Sequence, residues 1–294
     1  MSFTAKDVAE LRRITNVGMM KCKEALSECN GNIDEAVNYL RQKGIAGAAK
    51  KIANVAAEGI IASAVAADKK SVALVEINCQ TDFVAKNDDF IALSKKVANF
   101  VLEQKTDNLE TLLAADFEGK SLNDSILEQI SKIGEKLELR RAAFIASDTV
   151  VGAYVHPVGS KVGAIVALTG DSASEEKAAD VAMHITASSP TPEFRSRDDI
   201  PAEVIESEKQ IELGKEDLAG KPEEIKEKIV EGRINKLLAS KTLDEQAFIK
   251  NPDQKVKDYL APATIQSFIY LKVGEGVEKK EDNFADEVAS MMKS

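Results

Sequence analysis

The chain has 294 residues, of which 44% are hydrophobic and 30% are charged, so it can bury a core and still keep a charged surface. Lys and Arg number 39 against 49 Asp and Glu, which gives a formal net charge of -10, and no long basic run is present. This balance disfavours nonspecific binding of nucleic acid, because such binding needs a basic stripe that neutralises phosphates.

The cysteines and the N-terminus indicate the compartment. Cys22, Cys29 and Cys79 are odd in number and lack C-x-x-C spacing, so neither a disulfide framework nor a zinc site is predicted. The opening MSFTAKDVAELRR has no apolar signal-peptide core, and no stretch approaches the roughly 18 apolar residues that span a bilayer. We therefore predict a cytoplasmic protein without membrane association.

Residues 1–54 are predicted to form a bundle of three short helices. A capping box at Thr4 and Asp7 starts the first helix, Gly18 separates it from the second, and Asn32 caps the third. The apolar positions assigned to the second and third helices are Met20, Ala25, Leu26, Cys29, Ile33, Ala36, Val37 and Leu40. The Gly-Met-Met turn is similar to the loop of ubiquitin-associated domains, but such bundles serve many partners and assign no function alone.

After the bundle, two copies of one unit predict an α+β core made of antiparallel sheets and helices. The stretches GIIASAVAADKKSVALVEINC and VGAYVHPVGSKVGAIVALTG are each typical of a β-hairpin, and each is followed by an amphipathic helix. The first copy is assigned to subdomain N, 55–147, and the second to subdomain C, 148–200 with 230–274. Between the copies, charged helices are predicted from about Asn108 to Arg141.

The two copies differ in length between the hairpin and the helix. Aligning Val75 with Val166 gives an offset of 91, whereas aligning Val97 with Ile185 gives 88, so the first copy holds about three extra residues. That interval lies in NCQTDFVAKNDDF, where an apolar Phe-Val pair is surrounded by polar residues. From spacing alone, the pair either packs back under its own hairpin or is offered to another molecule.

The C-terminal part contains two further predicted features. Residues 201–229 are typical of a protruding helical hairpin, which either pairs with a copy of itself or packs on its own domain. The stretch FIYLKVGEGVE predicts one more strand and a turn, and the module 275–294 ends in a short amphipathic helix, NFADEVASMMKS.

The residue patterns of common catalysts are missing from the sequence. His156 and His184 are the only histidines, and neither has the neighbours of a nucleophile triad or of an H-E-x-x-H metal site. No phosphate-binding loop and no G-x-G-x-x-G follows a strand. We predict no catalytic residue, no metal site and no cofactor, so the chain is not expected to be an enzyme.

Four segments carry a family resemblance. In chain order they are TNVGMMKCKEAL, NCQTDFVAKNDDF, KIGEKLELRR and KVGEGVEKKEDNFADEVASM, and together they resemble bacterial elongation factor Ts over nearly the whole chain. The family often has a second glycine where Asn16 stands and an acidic residue where Lys21 stands, and the region 107–123 is longer than usual. These departures concern the contacts of the N-terminal bundle.

The resemblance implies a guanine-nucleotide exchange factor that binds GDP-bound and nucleotide-free elongation factor Tu. It would dislocate the magnesium ion and promote GDP release so that GTP can bind, with no direct nucleic-acid partner. The residues that the resemblance assigns to magnesium dislocation are Thr81, Asp82, Phe83 and Val84. The residues that it assigns to further partner contacts are Gly18, Met19, Met20, Lys23, Ile133, Gly134, His156, Phe284 and Met291.

Two alternatives stay open at this level. The chain could be an adaptor that binds a polypeptide through its ubiquitin-associated-like bundle and has no exchange activity. The hairpin 201–229 could join two copies into a homodimer, as the family implies for some members, or could remain a solvated appendage.

Overall fold

The computed structural model describes residues 3–15, 17–42 and 54–277. Its helices are α1 Ala5–Thr15, α2 Met19–Glu28, α3 Ile33–Gln42, α4 Asp82–Ala85, α5 Asp88–Gln104, α6 Leu109–Ala114, α7 Leu122–Ile133, α8 Glu175–Ala187, α9 Ala202–Leu213, α10 Glu223–Lys241 and α11 Val256–Leu260. Its strands are β1 Glu58–Val65, β2 Ser71–Cys79, β3 Asp116–Phe117, β4 Lys120–Ser121, β5 Leu137–Ala146, β6 Val150–Val155, β7 Val162–Thr169, β8 Ala247–Phe248, β9 Asn251–Lys255 and β10 Thr264–Lys272. The predicted C-terminal helix lies outside the described residues.

Helices α1 to α3 form the predicted bundle around Leu11, Leu26 and Leu40, which are almost fully buried. The capping box is present, because Thr4 N donates to Asp7 Oδ2 at 2.7 Å and Asp7 N donates to Thr4 Oγ1 at 3.4 Å. The assignment of Met20 to the apolar face of α2 is wrong, because its side chain is 76% exposed. Successive helical residues turn by about 100°, so Met20 lies on the opposite side of α2 from Cys22, which is buried.

The core consists of two three-stranded antiparallel sheets with the same topology. The first sheet has the order β1-β2-β5, and the second has the equivalent order β6-β7-β10. A hairpin therefore leads in each copy to a covering helix, α5 or α8, and the chain then returns to add the third strand beside the second. The α+β class and the internal duplication are confirmed.

The alternation of side chains along the strands explains how the layers stack. Ile60 of β1 faces the core under α5, whereas the next residue, Ile61, faces the second sheet together with Leu74. Ile165 of β7 lies in the same inter-sheet cluster, and its neighbour Val166 faces the core under α8. Successive strand residues point to opposite faces of a sheet. The core therefore has four layers, in the order α5, first sheet, second sheet and α8.

The prediction of helix up to Arg141 is wrong, because β5 begins at Leu137 and pairs with β2 from Cys79 to Ser71. Leu137 and Leu139 alternate into the core at 3% exposure each. Lysine, glutamate and leucine favour helix in isolation, but pairing to the free edge of β2 prevails over that propensity.

The predicted helical hairpin is formed by α9 and α10, whose shared core includes Leu218, Val230 and Ile234. Helix α10 runs without a break across the predicted boundary at 229/230. Ile211 and Ile225 are 57% and 48% exposed. No helix of the described ranges combines the length and the apolar character that crossing a membrane requires.

A glycine sets the close approach of β6 to α8. A Cβ atom added at Gly152 would lie 2.6 Å from the Ala178 carbonyl carbon. That carbon is a backbone atom, so no side-chain rotation can relieve the overlap. We expect Gly152→Ala to lower the free energy of unfolding by about 1–3 kcal/mol through overpacking, measured by urea denaturation. Gly232→Ala is the control, since nothing lies within 4 Å of that Cβ. In the interior of α10 it should stabilise by about 0.5–1 kcal/mol, and equal losses from both variants would contradict this account.

Candidate functional site

The segment between the first hairpin and its helix is longer than its counterpart in the second copy. Eight residues, 80–87, separate β2 from α5, whereas five, 170–174, separate β7 from α8. The predicted difference of three residues is confirmed. The longer segment forms α4, a single helical turn from Asp82 to Ala85, followed by Asn87, whose side chain caps α5 by accepting from Asp89 N and Phe90 N.

The apolar residues of α4 point in different directions. Ala85 is buried at 5% exposure, and Val84 is half-buried against the core of the first subdomain. Phe83, in contrast, is 81% exposed. A phenyl ring with that exposure contributes little to its own fold, so it is available to another molecule.

Polar contacts hold the ends of α4. The Thr81 hydroxyl accepts from Val84 N at 3.4 Å as the N-cap. At the other end, Lys86 Nζ lies 2.6 Å from Asp82 Oδ2. The hydrogen bond from the Lys86 ammonium holds the pKa of the exposed Asp82 carboxyl below its ordinary value. Asp82 therefore carries its negative charge beside Phe83 at neutral pH.

Helix α7 lies beside the exposed ring. Its residues Gln129, Lys132 and Ile133 line a shallow hollow with Phe83 and Val84. Gly134 ends α7 in the left-handed conformation, with φ of +83°. No atom lies within 4 Å of the position that a Cβ atom would take at Gly134. The structure thus brings Ile133 and Gly134 next to Thr81–Val84, although about fifty positions separate the two segments in sequence.

The turn before α2 presents a second apolar group. Gly18 precedes the helix, Met19 is 58% exposed, Met20 is more exposed still, and Lys23 is exposed. The Nζ of Lys21, in α2, lies 3.5 Å from Asp124 Oδ2 in the first turn of α7. Helix α7 therefore contacts the bundle near one end and the α4 segment at the other.

The turn between β6 and β7 is a separate, solvent-facing element of the second sheet. His156 is exposed there, and its Nδ1 lies 3.3 Å from the Tyr154 hydroxyl. Val158 in the same turn is 76% exposed and was missed in the sequence, although an apolar residue before Gly-Ser in a turn is a usable signal. Phe284 and Met291 lie outside the described residues.

His184 belongs to the core of the second subdomain. It is 2% exposed, its Nδ1 accepts from Ile249 N at 3.2 Å, and its Nε2 lies 2.9 Å from Gln246 Oε1. Burial lowers the pKa of the imidazole below its ordinary value, so the neutral ring fills a structural position. Among the described residues, no group of three or more His, Cys, Asp or Glu side chains could hold a metal ion.

Comparison with known proteins identifies the chain. Residues 80–275 match the family model described as Elongation factor TS. Three relatives named Elongation factor Ts align over nearly full length. The protein of Alkalilimnicola ehrlichii is 47% identical over 98% of both chains, and that of Hydrogenovibrio crunogenus is 44% identical over 99% of this chain and 98% of its own. The protein of Halorhodospira halophila is 43% identical over 100% of this chain and 99% of its own.

These matches make the chain a translation elongation factor. It belongs to the elongation factor Ts family, as the resemblance of the four sequence segments predicts.

Proposed function

We propose that this chain is the guanine-nucleotide exchange factor of elongation factor Tu. It binds the GDP-bound partner in the cytoplasm, dislocates the magnesium ion and promotes GDP release, so that GTP can bind. The observation that carries the proposal is the 81% exposed ring of Phe83, held on a capped helical turn within a chain of this family.

The chemistry of the partner explains why an apolar ring can release a nucleotide. GTPases of the P-loop class hold the phosphates with backbone amides and with a magnesium ion that bridges phosphate and protein oxygens. Phe83 inserts between elements of the partner's nucleotide domain, with Val84 beside it, and the Asp82 carboxylate acts on polar groups near the magnesium. Thr81 fixes the start of this segment.

One ring cannot account for the whole effect. Full burial of a phenylalanine contributes about 1.5–3 kcal/mol, which corresponds to roughly ten- to a hundredfold in affinity. A broader contact must therefore supply the rest. We assign it to the turn at Gly18, Met19, Met20 and Lys23, to Ile133 and Gly134, to the turn at His156, and to the C-terminal residues Phe284 and Met291.

The proposed activity changes a binding equilibrium and breaks no covalent bond, so the chain acts as a regulator and not as an enzyme. A homodimer through the α9–α10 hairpin remains a proposal, and the exposed Ile211 and Ile225 are the residues that would contribute to it. No direct nucleic-acid or membrane partner is part of the proposal.

Thermodynamic linkage supplies the test. If the chain weakens the binding of GDP to elongation factor Tu, GDP must weaken the binding of the chain by the same factor. We expect the affinity of the chain for the partner, measured by calorimetry, to fall at least about tenfold when GDP is raised to saturation. An affinity that is independent of GDP would contradict exchange and favour the adaptor.

A further inference from the structure

The carboxylate of Glu135, in the connection between α7 and β5, binds Thr81, the N-cap residue of α4. Thr81 N donates to Glu135 Oε2 at 3.0 Å, and the Thr81 hydroxyl donates to Glu135 Oε1 at 2.7 Å. Both carboxylate oxygens are therefore used by one residue. Glu135 follows directly after Gly134, the residue that ends α7, so it ties the exposed segment to the end of that helix.

A neighbouring contact strengthens the same connection. The last paired residues of β2 and β5 are Cys79 and Leu137. Beyond that pair, Lys136 N donates to Gln80 Oε1 at 2.9 Å. Side chains at positions 80 and 135 thus continue the connection between the two strands after the backbone pairing has ended.

The contact with Glu135 helps to orient α4. A helix of four residues is far too short to be stable alone, so its direction is set by the contacts at its ends and by the packing of Val84 and Ala85 on the core. The Thr81 hydroxyl has one hydrogen, which it donates to Glu135, and one of its two lone pairs accepts from Val84 N at 3.4 Å. Hydrogen bonds to an ionised carboxylate are roughly twice as strong as neutral ones.

We propose that Glu135 is a positioning residue for exchange, which acts through Thr81 to hold Phe83 in its outward orientation before the partner binds. The inference rests on the proposed function. A preorganised segment avoids the entropic cost of ordering at the moment of binding. Loss of the carboxylate leaves Phe83 present but variable in direction, so the stimulated release of GDP becomes slower.

The test compares Glu135→Ala with Glu128→Ala in stopped-flow release of fluorescent GDP from elongation factor Tu. Glu128 lies on α7 and pairs with Lys120 at the surface, so its variant removes the same charge without touching Thr81. We expect Glu135→Ala to lower stimulated release about five- to tenfold and Glu128→Ala to match the unchanged chain. A Glu135→Ala rate equal to that of the unchanged chain would overturn the proposal.

A double variant separates positioning from direct contact with the partner. If Glu135 acts through Phe83, the variant Phe83→Ala with Glu135→Ala loses no more than Phe83→Ala alone. Additive losses would overturn the proposal, because Glu135 would then act independently of the ring. If the unchanged chain itself fails to accelerate release, the proposed function fails.

A measurement on the free chain does not depend on exchange. We expect hydrogen exchange at the amides of residues 82–86 to accelerate in Glu135→Ala, while the melting temperature and the amides of β2 stay as in the unchanged chain. Unaltered exchange at 82–86 would overturn the positioning role, even if the proposed function holds. A general loss of protection would show unfolding instead, and would overturn a role confined to this segment.

Discussion

Replacing Phe83 by alanine is expected to lower the stimulated release of GDP from elongation factor Tu by about ten- to a hundredfold. The reason is that the ring is 81% exposed in the free chain and becomes buried in the partner, which contributes about 1.5–3 kcal/mol. The measurement is stopped-flow release of a fluorescent GDP with the chain well below saturation, so that the rate reports the loss directly.

The controls for this result come from the same chain. Ile249→Ala truncates another exposed apolar residue, 42% exposed and distant in sequence, and should leave the rate unchanged. Because Phe83 barely contacts its own core, Phe83→Ala should also keep the wild-type melting temperature. Asp82→Ala should give a smaller loss, since that carboxylate is exposed and solvent screens its charge. A Phe83→Ala chain that matches the wild type would assign exchange to the broader contact.

Removal of Glu76 is expected to have the largest effect on stability. This carboxylate is 0% exposed in β2, and its oxygens lie 3.0 Å from Arg140 Nη1, 2.5 Å from Arg141 Nε and 2.8 Å from Gly274 N. Glu76→Ala would leave two partly buried guanidinium groups and an amide without their shared acceptor. We expect the free energy of unfolding in urea to fall by about 3–5 kcal/mol.

A half-exposed ion pair at the start of the neighbouring strand β5 is the control for Glu76. Glu138 Oε2 lies 2.9 Å from Lys136 Nζ, and the Glu138 side chain is 45% exposed. Pairs of this kind contribute about 0–1 kcal/mol, so Glu138→Ala should have a small effect. If both variants lose the same small amount, Glu76 is not the stabilising shared acceptor of Arg140, Arg141 and Gly274 N, and this account is contradicted.

The elements that the sequence predicts well depend on local patterns. The hairpin β1–β2 is set by alternating apolar residues around a polar turn, and its helix α5 by apolar residues three and four positions apart. The extra residues between them follow from comparison of the two copies, which needs no knowledge of contacts. The outward direction of Phe83 cannot be predicted in this way, because residue spacing is compatible with an apolar pair that points inward or outward.

What the sequence could not provide depends on distant partners. Strand β5 is missed because its helix-favouring residues become a strand only beside β2. The contact of Glu135 with Thr81 is missed because the two residues lie 54 positions apart, and an ordinary glutamate in an acidic chain gives no signal. Met20 is misplaced because each helical residue turns by about 100°, which puts Met20 on the opposite side of α2 from the buried Cys22.

The most direct test of the central claim is the release of fluorescent GDP from elongation factor Tu over a series of magnesium concentrations, with and without the chain. If the chain acts by dislocating magnesium, its acceleration is large when magnesium saturates the partner and shrinks as the ion is removed, because removal of the ion has the same effect. An acceleration that stays equal at every magnesium concentration would contradict magnesium dislocation, and no acceleration at any concentration would contradict exchange itself.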